Sequence, residues 1–376
     1  MREMFWQQCL RRSHHGQIND SRQTDATPPL PNAFHSTRSS LMIYVRGFIV
    51  FPEFSKYRLR NVMRRPFHNL LPLAFVACGL SACLAADHGP AYVDPEVAAE
   101  KDPDFLFQGE YANSDRGVQV IALGNGEFRT VTYPGGLPGA GWTQKERRSR
   151  EGTRESLASV LEGVERVERQ SDTLGLAPPE DAIVLFDGTK ETFTKHWRDG
   201  ASMTVDGLLI QGATSIDEMQ DFQLHLEFRL PYMPEARGQA RGNSGCYVQG
   251  RYEIQMLDSF GFGPKDNECG GIYKASAPKL NMTFPPLTWQ TYDIDFQAAR
   301  FDDAGEKTAP AKVTVRHNGT IIHENLSLPA NTPGGVMKDE SAAPGPLFLQ
   351  NHGDEVRYRN IWFVPASSED SQEQQS

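Results

Sequence analysis

An all-β antiparallel sandwich with Greek-key or jelly-roll wiring is the fold class this sequence predicts. A small N-terminal β-hairpin unit and one long amphipathic helix precede it. Three observations carry the prediction. Phe222, Leu224, Leu226, Phe228 and Leu230 alternate with Gln223, His225, Glu227 and Arg229, the period of two of a strand with one buried face. Asn125-Gly126 and Asn318-Gly319 stand between apolar runs, where a hairpin turn needs positive φ. The 376 residues include 33 glycines and 25 prolines, which favour turns and short strands over long helices.

The elements follow in chain order. Residues 1–86 carry 11 basic and 4 acidic side chains, whereas the rest carries 27 and 44. Such asymmetry marks a targeting segment ahead of a mature chain. Met63-Arg64-Arg65 precedes the apolar run Leu70–Leu80 and then small residues, the form of a secretory signal peptide. Residues 63–85 are therefore read as the signal and 1–62 as sequence upstream of a misassigned start. The alternative is one long, unusual signal peptide. Two cleavage readings stand side by side. Leu80-Ser81-Ala82-Cys83 has the form of a lipobox, with a lipid on Cys83 and a membrane tether. Cutting after Ala85 gives a soluble form. Either way the chain is expected to be exported, to the periplasm, the cell surface or the medium.

Residues 86–102 are polar and read as a linker. The unit 103–143 is built on Gly117–Leu123 and Glu127–Tyr133, and Pro134–Gly139 closes it. Residues 144–170 are dense in charge, and Leu157, Val160, Leu161, Val164 and Val167 fall at helical spacing, so a helix is predicted there, with a connector to residue 181. Residues 182–365 form the sandwich. Its strand candidates are 222–230, 252–258, 292–296, 312–317, 347–352 and 356–363, and no helix-period pattern is evident between them. Residues 366–376 are Ser, Glu and Gln-rich and expected to be disordered.

Composition excludes several classes. No apolar run reaches the roughly 20 residues of a membrane-spanning helix. A formal charge of −10 disfavours nucleic-acid partners. No phosphate loop, Gly-x-Ser-x-Gly elbow or His-Glu-x-x-His is present, which disfavours dinucleotide cofactors, acyl-enzyme hydrolases and zincins. Cys246 and Cys269 form either a disulfide or two buried thiols.

The domain contains, in order, Val184-Leu185-Phe186-Asp187-Gly188, Gly242-Asn243-Ser244-Gly245-Cys246-Tyr247-Val248-Gln249-Gly250 and Tyr252-Glu253-Ile254-Gln255-Met256-Leu257-Asp258. Further on come Gly270-Gly271-Ile272-Tyr273, Trp289-Gln290-Thr291-Tyr292-Asp293, Leu349-Gln350-Asn351-His352-Gly353 and Val356-Arg357-Tyr358-Arg359-Asn360-Ile361. This ordered set resembles the 3-keto-disaccharide hydrolase domain family. The resemblance implies a concanavalin A-like lectin/glucanase sandwich and hydrolysis of glycosides whose sugar is already oxidised at C3. The runner-up readings are a non-catalytic carbohydrate-binding module and a structural or adhesive β protein.

A 3-keto group acidifies the C2 hydrogen, so such a site needs a base near the operating pH, a donor or metal for the enolate oxygen and an acid for the leaving group. Glu253 is the first candidate base or metal ligand, and it shares a strand face with Gln255. Glu227 and His352 are the other catalytic candidates, His352 because imidazole titrates near neutrality. Asn243 is a candidate for shaping the cleft or contacting substrate. Arg357 and Arg359 are read as holding an oxyanion or a sugar hydroxyl, or else as salt-bridge partners within the sheet. Tyr247, Tyr273 and Trp289 are read as sugar platforms or core. The expected partner is a carbohydrate, with no protein partner. No cofactor is predicted, and Ca²⁺ is left open on the acidic loops Asp266-Asn267-Glu268 and Asp302-Asp303.

Overall fold

The computed structural model describes residues 89–366. The signal-like segment, Cys83 and residues 367–376 lie outside the described residues. Among the described residues, no helix is long and apolar enough to cross a membrane. Two short helices open the fold, α1 (Pro95–Lys101) and α2 (Pro103–Phe107), each with an Asp cap and a proline in its first turn. α1 falls within the stretch read as a linker. Strands β1 (Gly109–Ala112), β2 (Arg116–Gly124), β3 (Glu127–Pro134), β4 (Arg148–Thr153) and β5 (Glu165–Val167) make one antiparallel sheet in the order β4-β3-β2-β1-β5. Asn125 and Gly126 turn the β2–β3 hairpin at φ 57° and 76°.

Predicted as one long helix, residues 144–170 are not one. They fold as β4, a single turn α3 (Arg154–Leu157), a 3-10 turn Ala158–Val160 and β5. Gly152 and Gly163 adopt φ of 156° and 75°, which breaks a continuous helix, and β4 satisfies its backbone against β3. The apolar spacing was real but short: Leu157 is fully buried, and Val160, Leu161 and Val164 pack beside it. Pairing with a neighbouring strand overrode local periodicity.

The sandwich follows. Its strands are β6 (Ile183–Phe186), β7 (Leu209–Ile210), β8 (Ala213–Met219), β9 (Phe222–Arg229), β10 (Ser244–Val248), β11 (Tyr252–Met256) and β12 (Trp289–Gln297). After them come β13 (Arg300–Phe301), β14 (Lys307–Ala309), β15 (Ala311–His317), β16 (Thr320–Leu328), β17 (Gly345–Leu349) and β18 (Arg357–Pro365). One helix, α4 (Lys190–His196), capped by Thr189, was not foreseen. A four-stranded sheet, β11-β10-β17-β8, faces a larger one ordered β16-β15-β12-β9-β18-β6, with β7 beside β18. All pairings are antiparallel. Asn318-Gly319 turns the β15–β16 hairpin at φ 50° and 79°.

The core between the sheets fixes which side chains face outward. Leu224, Leu226 and Phe228 of β9 meet Cys246 and Val248 of β10 and Ile254 and Met256 of β11. Period-two alternation then sends Gly245, Tyr247, Glu253 and Gln255 to the outer face of the small sheet. It sends His225, Glu227 and Arg229 to the outer face of the large sheet, on the opposite side of the molecule.

Cys246 and Cys269 are separate, buried thiols rather than a disulfide. Both sit in the apolar core, and the Cys269 sulfur lies 3.2 Å from the Tyr292 hydroxyl. Burial pushes both thiols up in pKa, so neither is a ready thiolate.

The N-terminal sheet packs against the segments that flank β10 and β11. Val118, Val120 and Ala122 cluster with Tyr232 and Leu287 on one face, and Ile121, Val131 and Tyr133 with Phe260 on the other. Arg241 ties the two parts together: its Nε donates to Asp258 at 2.6 Å and its Nη1 to the Ala122 carbonyl at 3.3 Å.

Candidate active site

Glu253 lies on the outer face of β11, only 2 % exposed. Directly opposite on β10 stands Tyr247. Its hydroxyl is 2.6 Å from Glu253 Oε2 and 2.7 Å from the Pro333 carbonyl. The phenol has one proton and two acceptors. When Glu253 is ionised, the proton serves the carboxylate and the carbonyl goes without it. When Glu253 is protonated, the carboxyl donates to Tyr247 and Tyr247 donates to Pro333, so both bonds are made. Burial raises the Glu253 pKa to about 7, against the weaker opposing pull of the Tyr247 hydrogen bond, so near neutrality both arrangements are populated.

The backbone holds this pair in place. Glu253 N–H donates to Thr332 Oγ1 at 2.8 Å, and the Tyr273 N–H reaches the Glu253 carbonyl at 3.2 Å. Gly245 leaves room beside it, since a Cβ there would stand 2.5 Å from Glu253 Oε1. Around the pair, Tyr273 and Gln350 are half-buried and Gly334 is exposed. Gln350 points its amide nitrogen at Tyr247 Oη from 3.4 Å. Gln255 joins the same face, and its Nε2 donates to Gln239 Oε1 at 3.2 Å.

The other buried carboxylate, Glu227, behaves differently. It receives the Gly175 N–H at 2.6 Å, Arg359 Nε at 2.7 Å and Asn360 Nδ2 at 3.0 Å. Burial alone would raise its pKa, but these donors and His225 outweigh it and hold the group down at about 2. His225, fully buried, bonds Asp293 at 2.6 Å. Burial would strip its proton, yet Asp293 and Glu227 raise its pKa to about 9. Thr173 donates to Asp293 at 2.6 Å, so the connector before the sandwich is fastened over this network.

The structure thus separates the sequence candidates. Glu253, Tyr247, Gln255 and Tyr273 come together. Asn243 is close by: its N–H donates to Asp354 at 2.7 Å and its Nδ2 to the Gln239 carbonyl at 2.7 Å. Glu227 and Arg359 form an ion pair on the far face, with Arg359 Nε 2.7 Å from the carboxylate. Arg357 is tied to Glu355, and Trp289 is covered by Arg229 and Arg359, whose guanidinium carbons lie 5.0 and 4.1 Å from its ring centroid. His352 is exposed beyond the end of β17 and makes no hydrogen bond among the described residues. Asp302 caps the N–H groups of Ala304 and Glu306, and Glu268 takes the Ser259 hydroxyl. Among the described residues, no group of three or more His, Cys, Asp or Glu is arranged to hold a metal ion.

Sequence reasoning missed Thr332, the Pro333 carbonyl, Gly334 and Gln239. Thr332 is 79 residues from the Glu253 it supports, so no local pattern connects them. Gln350 lay inside a recognised motif, but nothing in the sequence assigned it a role.

Residues 181–364 match the profile of the 3-keto-alpha-glucoside-1,2-lyase-like domain family. A candidate glycosyl hydrolase from Parabacteroides distasonis, solved by crystallography, is 31 % identical over 51 % of this chain and 86 % of its own, with a TM-score of 0.46. The chain belongs to this family. A second candidate glycosyl hydrolase from the same organism is 18 % identical over 50 % of this chain and 95 % of its own, with a TM-score of 0.36. An alginate lyase, vAL-1 from a Chlorella virus, is 11 % identical over 44 % and 89 %, with a TM-score of 0.27. No curated protein matches the chain. Membership makes residues 181–364 a glycosyl hydrolase-like, carbohydrate-active domain. Within the family domain, the Glu253–Tyr247 pair is the arrangement best suited to acid–base chemistry.

Proposed function

We propose that this protein is an exported enzyme that cleaves the glycosidic bond of sugars already oxidised at C3, with Glu253 as its acid–base residue. The observation that carries the reading is a desolvated carboxyl with a pKa of about 7 beside a single phenol. General acid–base catalysis at neutral pH calls for such a group. The signal-like segment at 63–85 supports export.

Ionised Glu253 removes the C2 proton, and the electron pair moves into the C3 carbonyl as an enolate. Gln350, half-buried with its amide nitrogen 3.4 Å from Tyr247 Oη, is the donor proposed for that oxygen. The enolate re-forms the carbonyl as the C1–O bond breaks, leaving a C1–C2 double bond. The departing oxygen takes the proton that Glu253 now carries. Water adds across the double bond by the reverse path, its proton passing through Glu253 to C2 and its hydroxyl to C1. The net reaction is hydrolysis, reached through a lyase step. Tyr247 and the Pro333 carbonyl steady both protonation states of the carboxyl. One carboxyl suffices, unlike the pair at about 5–5.5 or 6.5–9.5 Å used in direct glycoside hydrolysis.

The test is cleavage of a 3-keto-disaccharide beside its unoxidised parent, by the wild type and Glu253→Gln. The expected result is cleavage of the keto-sugar alone, falling about 10²–10⁴-fold in the variant. Equal cleavage by wild type and variant sinks the assignment of Glu253. Glycan binding without any cleavage by the wild type moves the protein to a carbohydrate-binding module.

A further inference from the structure

A cavity of about 490 Å³ opens between the loop after β11 and the end of β16. Three of its wall residues also hold the acid–base pair. Tyr273 and Thr332 are hydrogen-bonded to the Glu253 backbone, and Pro333 accepts from Tyr247. The Tyr273 phenol lies close enough to Tyr247 to help push that group's pKa up. The cavity therefore shares a wall with the reacting carboxyl.

Its other walls are poor partners for a sugar. Leu326, Leu328, Pro329 and Ala330 line it alongside Tyr273. Two of its polar side chains are engaged, Thr332 Oγ1 holding the Glu253 N–H and Asn331 Nδ2 donating to the Lys338 carbonyl at 2.6 Å, while Ser276 and Ser327 also line it. A sugar ring presents hydroxyls on every side, and the stretch Leu326, Leu328, Pro329 and Ala330 offers those that face it no side-chain partner. A flat apolar group loses nothing in the same place. Lys274, at φ 58°, holds its ammonium 5.4 Å from the Tyr273 centroid, and it is the one charged side chain lining the cavity. No carboxyl lines it, so the leaving oxygen draws its proton from Glu253 alone.

We propose that this cavity is the leaving-group subsite and takes an aromatic aglycone, so that the preferred substrates are aryl 3-keto-glycosides rather than disaccharides. The proposal rests on the reading of Glu253 above for the side of the sugar from which the group leaves. A phenol, with a pKa near 10, is a better leaving group than a sugar hydroxyl and depends less on the single proton that Glu253 carries. Stacking on Tyr273 supplies the affinity.

The test separates binding from catalysis. Glu253→Gln of the full chain is titrated with phenyl glucoside and with methyl glucoside, and the phenyl compound is expected to bind about tenfold more tightly. Ala330→Trp, which fills the cavity from an exposed position, is expected to erase that preference in the same background. Equal affinity for the two glucosides, or a preference that survives the tryptophan, overturns the subsite. In the wild type, phenyl and methyl 3-keto-glucosides are then compared for cleavage. A phenyl binding preference with neither compound cleaved leaves the subsite standing and removes the catalytic reading. Cleavage of both without any preference in binding does the reverse.

Discussion

Glu253 and Glu227 are buried to nearly the same degree, at 2 % and 1 % exposure, and they sit on the two outer faces of one sandwich. Their chemistry is opposite. Glu227 has a guanidinium, an amide, a backbone N–H and an imidazolium around it, and it stays ionised far below neutrality. Glu253 has one phenol, whose proton it shares with a carbonyl, and it titrates near pH 7. Burial sets the stakes for a carboxyl, and the number of donors decides the outcome. A saturated carboxylate is a fastener. A desolvated one with a single neutral donor can give and take a proton.

The largest expected effect that sharpens this contrast is on stability. Glu227→Ala leaves the Arg359 guanidinium and the His225 imidazolium without this carboxylate, and it is expected to cost about 3–5 kcal/mol in urea unfolding. The fraction that remains folded should still cleave substrate, because Glu227 faces away from the site. A loss of activity in well-folded Glu227→Ala breaks the division between the two faces.

The sign of the pH dependence is the next difference. Between pH 4.5 and about 7 folded Glu253 keeps a proton that the unfolded chain has released, so stability falls as pH rises through this window. Glu253→Gln is therefore expected to be more stable than the wild type at pH 8 by about 2–3 kcal/mol, with the gap closing below pH 4.5. The network around Glu227 runs the other way on its acid side. Its contribution is present above pH 4.5 and lost as pH falls towards about 2. His225 adds stability that is complete below pH 6.5 and lost as pH rises through about 9. Melting temperatures across pH for the wild type and Glu253→Gln distinguish these contributions.

The smallest effect concerns the phenol. Its hydrogen bond lowers the Glu253 pKa, so Tyr247→Phe is expected to move the rising limb of the pH–rate profile upward by about one pH unit. An unmoved limb would mean that the titrating group is elsewhere.

Much of the fold was legible because its signals are local. The alternation in β9 and the two Asn-Gly turns each depend on a few neighbouring residues, and the structure keeps all three. The misread stretch 144–170 shows the limit of such signals. The spacing of Leu157, Val160, Leu161 and Val164 fits a helix, but it fits equally a short turn wedged into an apolar cluster. What decided was pairing of β4 with β3, which a helical window does not register. The same limit governs the site. Glu253 and Gln255 could be placed on one face by counting, and so could Glu227 and Arg229. Which face carries reactive chemistry depended on donors supplied from afar: Gly175, Arg359 and Asn360 on one side, and Thr332 and Pro333 on the other.

The most direct test is to follow the side-chain carboxyl carbons of Glu253 and Glu227 by carbon-13 NMR across pH, each assigned by its Gln variant. Glu253 is expected to titrate at about 7 and Glu227 at about 2. Titration of Glu253 at an ordinary 4.5 would contradict it, since the carboxyl would then hold no proton to give at neutral pH.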